Sequence, residues 1–156
     1  MRKRIIRPLP NTAAAEQSWL DLERTAAVEL TSEDKAYPIE SALSRKGTQG
    51  WRASEPGVQT IRLIFDQPQN LTRIALEFVE TKVSRTQQFT LRWSPDRGTS
   101  FHEIVLQQWN FSSPDATKET ENYAVKLSNV TVLELTIDPD RERGKACASL
   151  LSLRMA

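Results

Sequence analysis

The sequence has few of the residues on which common catalytic and metal sites depend. Its 156 residues include one cysteine, Cys147, and one histidine, His102. One cysteine excludes an intrachain disulfide and a Cys-rich zinc cluster, and one histidine excludes a metal site with two histidine ligands. No Gly-rich phosphate loop is present. Any Ser-His or Cys-His nucleophile would have to use His102, whose position after a tight turn is typical of an ordinary surface residue. The sequence therefore predicts a protein that is not an enzyme.

Long apolar runs and an excess of one charge are also absent. No run approaches the length needed to span a membrane. The basic start, residues 1–8, lacks the apolar core of a signal peptide, because only Ile5 and Ile6 precede Arg7. With 21 basic and 20 acidic side chains, the chain has no overall nucleic-acid footprint. We therefore expect a cytoplasmic protein with neither membrane nor nucleic acid as a partner.

What the sequence does have is alternation of apolar and polar residues. In residues 58–66, Ile61, Leu63 and Phe65 fall on one face of an extended segment, which predicts a half-buried strand entered from a loop. The other segments predicted as strands are 28–31, 71–80, 86–94, 101–107, 123–127, 133–137 and 148–155. Eight strands with one apolar face each must stack as two sheets, so we predict an all-β, antiparallel two-sheet β-sandwich of the jelly-roll type.

The first 27 residues differ from the rest of the chain. They predict an N-terminal arm, helical or irregular, with a short helix capped by Asn11 or Thr12. Trp19 and Leu22 are expected to hold this segment against the domain. The predicted organisation is thus an arm over residues 1–27 and one sandwich domain over 28–156.

The lengths of the connections separate two ends of the predicted sandwich. Loops between consecutive antiparallel strands alternate between the ends. The short turns 67–70, 95–100 and 128–129 would lie at one end, and the long connections 32–57, 81–85, 108–122 and 138–145 at the other. Long loops on a rigid scaffold are where binding sites usually lie.

The order of these segments resembles the galactose-binding-like superfamily, which includes the discoidin or coagulation factor F5/8 type C domains. The likeness covers about residues 28–154 and is carried by six stretches: 50–53 (GWRA), 57–65 (GVQTIRLIF), 67–74 (QPQNLTRI), 89–98 (FTLRWSPDRG), 133–140 (LELTIDPD) and 146–153 (ACASLLSL). The resemblance implies a non-catalytic module that binds carbohydrate through loops at one end of the sandwich.

The resemblance also bears on a structural calcium ion. Many members of the superfamily hold calcium with an acidic residue ahead of the conserved Trp and a Glu in the last strand. Glu40 matches the first position, but Ser152 stands at the second. Because calcium needs several oxygen ligands with enough negative charge, this departure argues against the ion and leaves Glu40 as the one candidate ligand.

The long-loop end contains aromatic, amide and cationic residues that suit a sugar site. The candidate ligand-binding residues are Trp51, Arg52, Arg85, Trp109, Asn110, Phe111 and Arg141, with Arg143 and Lys145 nearby. Aromatic rings stack on the faces of pyranoses, and fixed polar groups bind the hydroxyls. Trp51 is better explained as a core residue, whereas Trp109 and Phe111 fit either role. Arg141 suits a solvated turn or an anionic ligand.

The sequence is therefore compatible with two functions. The first is carbohydrate binding by the long loops. The alternative is an intracellular interaction module that uses the same surface to bind a protein partner or an anionic ligand.

Overall fold

The computed structural model describes residues 2–3, 19–44, 49–142 and 144–156. The predicted helix after Asn11 and Thr12, and Arg143, lie outside the described residues. The elements within these described residues are two short helices, α1 (Leu22–Thr25) and α2 (Glu40–Leu43), and eight strands: β1 (Ala26–Leu30), β2 (Trp51–Pro56), β3 (Gln59–Val79), β4 (Arg85–Ser94), β5 (His102–Phe111), β6 (Lys118–Asp138), β7 (Cys147–Leu150) and β8 (Ser152–Met155).

The strands form two antiparallel sheets, which confirms the predicted all-β sandwich. One sheet has the order β1-β3-β6-β4-β5, with β8 also paired to β3, and the other consists of β2 and β7. All pairings are antiparallel. The two longest strands, β3 and β6, have 21 residues each and pair with one another over most of their length.

Strand β3 doubles back at its middle. A straight strand of this length would span about 70 Å, yet the Arg85 side chain contacts groups beside both ends of β3. Its Nε donates a hydrogen bond to Glu80, directly after β3, at 2.8 Å. Its Nη1 donates to the carbonyl of Pro139 at 2.6 Å, just beyond the part of β6 that pairs with Gln59. The irregular pairing within 64–73 marks the bend, so the two halves of β3 lie on the two faces of the sandwich.

The apolar face predicted for residues 58–66 lies in the core. Ile61, Leu63 and Phe65 are fully buried. Ile64 breaks the alternation and points to the opposite face, where it pairs with Ala27 of β1. Because successive side chains of a strand point to opposite sides, the register of β1 and β6 on β3 places every second residue of this stretch in the core.

The outer face of the same sheet carries a buried charge cluster. The carboxylate of Glu134, in the central strand β6, accepts hydrogen bonds from Nε of Arg62 and Nε of Arg92, both at 2.8 Å. Arg92 and Arg62 belong to the two strands that flank β6. Glu134 is 2% exposed, and the two guanidinium groups compensate its charge.

The strand boundaries differ from the prediction in four segments. Trp51–Pro56, predicted as a loop, is strand β2, whose partner β7 lies almost a hundred residues later. The turns predicted at 67–70 and 128–129 lie within the bounds of β3 and β6, where they coincide with the bends of these strands, and Asn129 has a φ of 58°. The connection predicted over 108–122 shrinks to 112–117, because β5 extends to Phe111 and β6 begins at Lys118.

The short connections meet at one end of the sandwich. Arg97, in the β4–β5 turn, donates from Nη1 to the carbonyl of Phe65 at 2.8 Å and from its backbone to Oγ1 of Thr131 at 2.9 Å. The backbone N–H of Asn129 donates to Oδ1 of Asn70 at 3.1 Å. The bends of β3 and β6 and the β4–β5 turn are therefore joined at this end.

The segment before β1 packs on the domain. Trp19 and Leu22 are buried, and the guanidinium of Arg73 lies 4.3 Å from the centre of the Trp19 ring. The backbone N–H of Leu20 donates to the carbonyl of Met155 at 2.8 Å. This segment thereby covers the last strand, β8.

Gly50 is held where no other residue fits well. Its φ is +72°, and a Cβ added there would lie 2.4 Å from the carbonyl oxygen of Leu150. We expect Gly50→Ala to lower the free energy of unfolding by at least about 2 kcal/mol, because the strained backbone and the steric clash add. Chemical denaturation measures the loss. Gly57→Ala is the matched control, since Gly57 has φ +94° and open space around it, and should cost only about 1 kcal/mol. Equal losses in the two variants would contradict the steric explanation.

Candidate functional site at the long-loop end

Hydrogen bonds assemble the longer connections at the end of the sandwich opposite the short turns. The backbone N–H of Glu80 donates to the carbonyl of Thr117 at 2.8 Å, and Oγ of Ser113 donates to the carbonyl of Thr81 at 3.2 Å. These bonds join the β3–β4 and β5–β6 loops. The backbone N–H of Arg141 donates to the carbonyl of Thr86 at 2.8 Å, which ties the β6–β7 loop to the start of β4. We refer to this surface as the long-loop end.

A buried arginine supports these loops from below. The side chain of Arg85 is 1% exposed and forms an ion pair with Glu80. Its Nη1 also donates to Oε1 of Gln87 at 3.2 Å, and its guanidinium lies 4.8 Å from the centre of the Phe111 ring. Burial raises the pKa of the Glu80 carboxyl, but the hydrogen bond from Arg85, the Lys82 N–H and the Arg85 charge outweigh burial, so the pKa lies below its ordinary value. Glu80 is therefore ionised and neutralised within the protein.

A second carboxyl in this network, that of Glu119, has a raised pKa, in contrast to that of Glu80. Glu119, on the inner face of β6, is fully buried, and its Oε1 accepts a hydrogen bond from Nε2 of Gln87 at 3.1 Å. Burial, followed by a hydrogen bond to Glu121 and the charge of Glu121, raises the pKa of Glu119 to about 8. Burial is also the main cause that raises the pKa of the Tyr123 hydroxyl, which donates to Glu121 at 3.3 Å. Glu119 is therefore mostly protonated at neutral pH.

An open cleft lies above this network. It consists of two adjoining recesses of about 410 Å³ each, which share the walls formed by Arg52, Val79, Glu80, Lys82 and Ser149. We name it the Arg52 cleft. The first recess is completed by Tyr37, Gln49, Trp51, Thr81, Leu150 and Leu151. The second is completed by Asp34, Ala53, Ser54, Val83, Ala146 and Cys147.

Arg52 is exposed and held in a defined orientation. Its guanidinium lies 4.6 Å from the centre of the Tyr37 ring. The backbone N–H of Arg52 donates to the carbonyl of Tyr37 at 3.2 Å, and its carbonyl accepts from the N–H of Asp34 at 2.8 Å. The loop before α2 and strand β2 are thus fixed to each other, so the cation and the aromatic ring keep their relative positions.

Three of the predicted ligand-binding residues are buried. Trp51 is 1% exposed, and its Nε1 donates to the carbonyl of Ser32 at 3.2 Å. Phe111 and Arg85 are also buried. The side chains of all three are enclosed by the core that carries the loops, as the sequence analysis favoured for Trp51.

The other predicted residues remain accessible but do not form one site. Trp109 is half-buried in β5, and Oδ1 of Asn110 accepts a hydrogen bond from Thr86 at 2.8 Å. Arg141 lines a separate recess of about 520 Å³ beside Val58 and Pro139. Its Nη1 lies 3.4 Å from Oδ2 of Asp138. Among the predicted residues, Arg52 alone combines exposure with a place in the Arg52 cleft.

Among the cleft residues that the sequence analysis did not name are Tyr37 and Lys82, which lie beside Arg52. Tyr37 lies in the long connection that was predicted to reach this end, and Lys82 lies in the β3–β4 loop. The one sequence signal for both was the length of these connections. In the sequence, Tyr37 resembles any aromatic residue of a loop. Its contact with Arg52 cannot be read from the spacing, because Arg52 follows fifteen positions later.

The described acidic side chains do not gather around Glu40, the candidate calcium ligand. Glu40 is exposed at the start of α2, and Oε1 of the nearby Glu33 accepts the backbone N–H of Ile39 at 2.6 Å. Across the described residues, no group of three or more His, Cys, Asp or Glu side chains is placed to hold a metal ion. Calcium takes six to eight oxygen ligands, several of them charged. Within the described residues, Glu40 therefore does not belong to a cluster of acidic ligands.

His102 lies away from this end, where β5 begins after the β4–β5 turn. Its ring centre is 5.1 Å from that of Trp93, the residue with which it pairs. Within the part of the chain that the structure describes, no helix is both long and apolar enough to cross a membrane.

Comparison with solved structures identifies the fold. No protein-family model matches the chain, and no curated protein matches it either. Among solved structures, the family 32 carbohydrate-binding module from C. perfringens NanJ, in complex with galactose, aligns with a TM-score of 0.62 at 14% identity over 88% of this chain and 96% of that chain. The chain has the galactose-binding-like, discoidin-type fold. The predicted resemblance is confirmed at the level of the fold.

Two further structures share this galactose-binding-like fold. The family 32 module of AlyQ, in complex with 4,5-unsaturated mannuronic acid, aligns with a TM-score of 0.61 at 16% identity over 85% of this chain and 95% of that chain. A Ruminococcus gnavus GH29 fucosidase in complex with fucose aligns with a TM-score of 0.65 at 8% identity, over 87% of this chain but 26% of that chain. In the fucosidase, the fold is therefore one part of a larger chain.

Proposed function

We propose that this chain is a non-catalytic carbohydrate-binding module that binds sugar in the Arg52 cleft. One observation carries the proposal: the alignment with the galactose-bound module spans 88% of this chain and 96% of that module. The two chains share one fold over nearly the whole length of the galactose-bound module. Most of this chain is therefore accounted for by the fold of a sugar-binding module.

The chemistry of the Arg52 cleft supports this proposal. Tyr37 and Leu151 provide apolar surface, and Thr81, Ser149 and Gln49 provide hydroxyl and amide groups. Sugars are recognised by this combination, in which apolar surface covers a face of the ring and fixed polar groups bind the hydroxyls. The cleft is open to solvent at the rim of a rigid sandwich, as expected for a site that binds without enclosing a reaction.

The solved relatives differ in the sugar that they hold. The NanJ module is in complex with galactose, a neutral sugar, and the AlyQ module with an unsaturated mannuronic acid, a carboxylated one. The fold is thus compatible with either class, and the class bound by this chain has to be argued from its own side chains.

Substitution of Tyr37 tests the location of the site. We expect Tyr37→Ala to weaken sugar binding about tenfold, because it removes the apolar surface of the cleft and the platform that orders Arg52. NMR titration of the isotope-labelled protein with neutral and acidic monosaccharides measures the affinity. Leu106→Ala is the control, because Leu106 is an exposed apolar residue on β5, outside the cleft.

Two outcomes would count against the proposal. If no sugar of either class perturbs the spectrum at millimolar concentration, carbohydrate binding is wrong. If sugar binds equally well to Tyr37→Ala and to the unsubstituted protein, the site lies elsewhere than in the Arg52 cleft.

A further inference from the structure

The charged groups of the Arg52 cleft are not balanced. Its first recess contains three charged side chains, the cations Arg52 and Lys82 and the carboxylate Glu80. Glu80 already forms an ion pair with the buried Arg85 at 2.8 Å, and its other oxygen accepts the backbone N–H of Lys82 at 3.2 Å. Its charge is therefore offset from inside the protein, so the cleft is left with two surface cations, Arg52 and Lys82, and one further carboxylate, that of Asp34.

The cations have no acidic partner within the described residues. Neither the Arg52 guanidinium nor the Lys82 ammonium forms an ion pair there. The other acid of the cleft, Asp34, lines the second recess together with Arg52 and Lys82 but does not line the first, and its Oδ1 accepts the backbone N–H of Ala36 at 2.9 Å. The first recess thus presents two cations beside an aromatic ring and several hydroxyl groups.

The position of Arg52 suits a planar anion. The guanidinium carbon lies over the Tyr37 ring, 4.6 Å from its centre, and the guanidinium N–H groups have no hydrogen-bond partner among the described residues. A guanidinium edge donates two parallel hydrogen bonds to a carboxylate, and stacking reduces the conformational entropy lost on binding. Lys82 adds a second positive charge without a fixed direction.

From these observations we infer that the Arg52 cleft selects carboxylated sugars, the uronic acids, over their neutral counterparts. This inference rests on the proposed carbohydrate-binding function and adds the ligand class. Arg52 binds the carboxylate, Lys82 strengthens the attraction, and the hydroxyl groups of Thr81 and Ser149 face the rest of the ring.

Matched ligands test the inference on the full chain. Galacturonic acid and galactose differ by a carboxylate in place of a hydroxymethyl group, and glucuronic acid and glucose form a second such pair. The methyl ester of galacturonic acid keeps the carbonyl but has no charge. We expect each acid to bind about tenfold more tightly than its neutral partner and than the ester at low salt. This advantage should shrink as the salt concentration rises, because the cations are exposed.

Variants show whether the two cations produce the preference. Arg52→Gln and Lys82→Gln should each reduce the ratio of acid to neutral affinity, with Arg52→Gln bringing it close to one. Lys126→Gln is the matched control, since Lys126 is an exposed cation on β6 that does not line the cleft, and it should leave the ratio unchanged. Galactose 6-sulfate distinguishes the kind of anion and should bind less tightly than galacturonic acid.

The outcomes separate this inference from the proposed function. Galactose bound as tightly as galacturonic acid would overturn the inference while leaving the carbohydrate-binding function in place. A preference that survives Arg52→Gln, or tighter binding of galactose 6-sulfate, would overturn the assignment of the carboxylate to Arg52. The absence of binding by every sugar would instead refute the proposed function.

Discussion

Arg85→Ala is expected to lower the free energy of unfolding by about 3–5 kcal/mol, because removing one partner leaves the others buried without compensation. Arg85 donates to Glu80, to Gln87 and to the carbonyl of Pro139. Without it, Glu80 loses its ion pair, the buried amide loses a donor, and the Pro139 carbonyl loses its hydrogen bond. Chemical denaturation monitored by tryptophan fluorescence measures the loss.

An exposed arginine provides the comparison for this prediction. The side chain of Arg24 is 86% exposed and lies 4.0 Å from the carboxylate of Asp21. Arg24→Ala should cost no more than about 0.5 kcal/mol, because exposed ion pairs contribute little. The double variant Arg85→Met with Glu80→Gln should recover part of the stability lost in Arg85→Ala, since it removes both charges. If Arg85→Ala and Arg24→Ala proved equally mild, the role assigned to Arg85 would be wrong.

Glu119 should make the protein less stable as the pH rises from about 4.5 to 8. The pKa of its carboxyl is about 8 in the folded protein, above the ordinary value of 4.5. Between these values the folded state holds a proton that the unfolded state has released, so the free energy of unfolding falls with rising pH. The stabilisation that comes from protonated Glu119 is complete below pH 4.5 and is lost as the pH rises past about 8.

Glu119→Gln is expected to remove this dependence. Glutamine keeps the oxygen that accepts the hydrogen bond from Gln87 and cannot ionise. At pH 8 the variant should be more stable than the unsubstituted protein by on the order of 3 kcal/mol, and near pH 4.5 the two should be similar. Denaturation curves across this pH range measure both, with Glu103→Gln on the exposed face of β5 as the control. Parallel pH profiles for Glu119→Gln and the unsubstituted protein would contradict the assignment.

The elements that the sequence predicted well are those whose signal is local. Ile61, Leu63 and Phe65 alternate with polar residues, and that period alone places them on the buried face of a strand. Strand β2 was missed for the opposite reason. It contains few alternating apolar residues and ends at Pro56, and it is a strand because it pairs with β7.

The start of β6 was missed because its inner face is polar. Glu119 and Glu121 occupy the positions at which an ordinary strand carries apolar residues, so the segment resembles a loop in sequence. Only the packing of β6 against Gln87 on β4 shows that Glu119 is enclosed. Burial of a carboxyl depends on partners that its own segment does not reveal.

For the candidate site, the sequence determined which connections are long and that Arg52 lies in one of them. The tertiary structure decided which residues share a surface there. It enclosed Trp51, Arg85 and Phe111 in the core and brought Tyr37 and Lys82 beside Arg52. The physical reason is that the period of a strand depends on neighbouring residues, whereas the surroundings of a side chain depend on where distant strands and loops meet. Strand β3 doubles back, and that bend places Glu80 and Lys82 opposite β2 and so forms the Arg52 cleft.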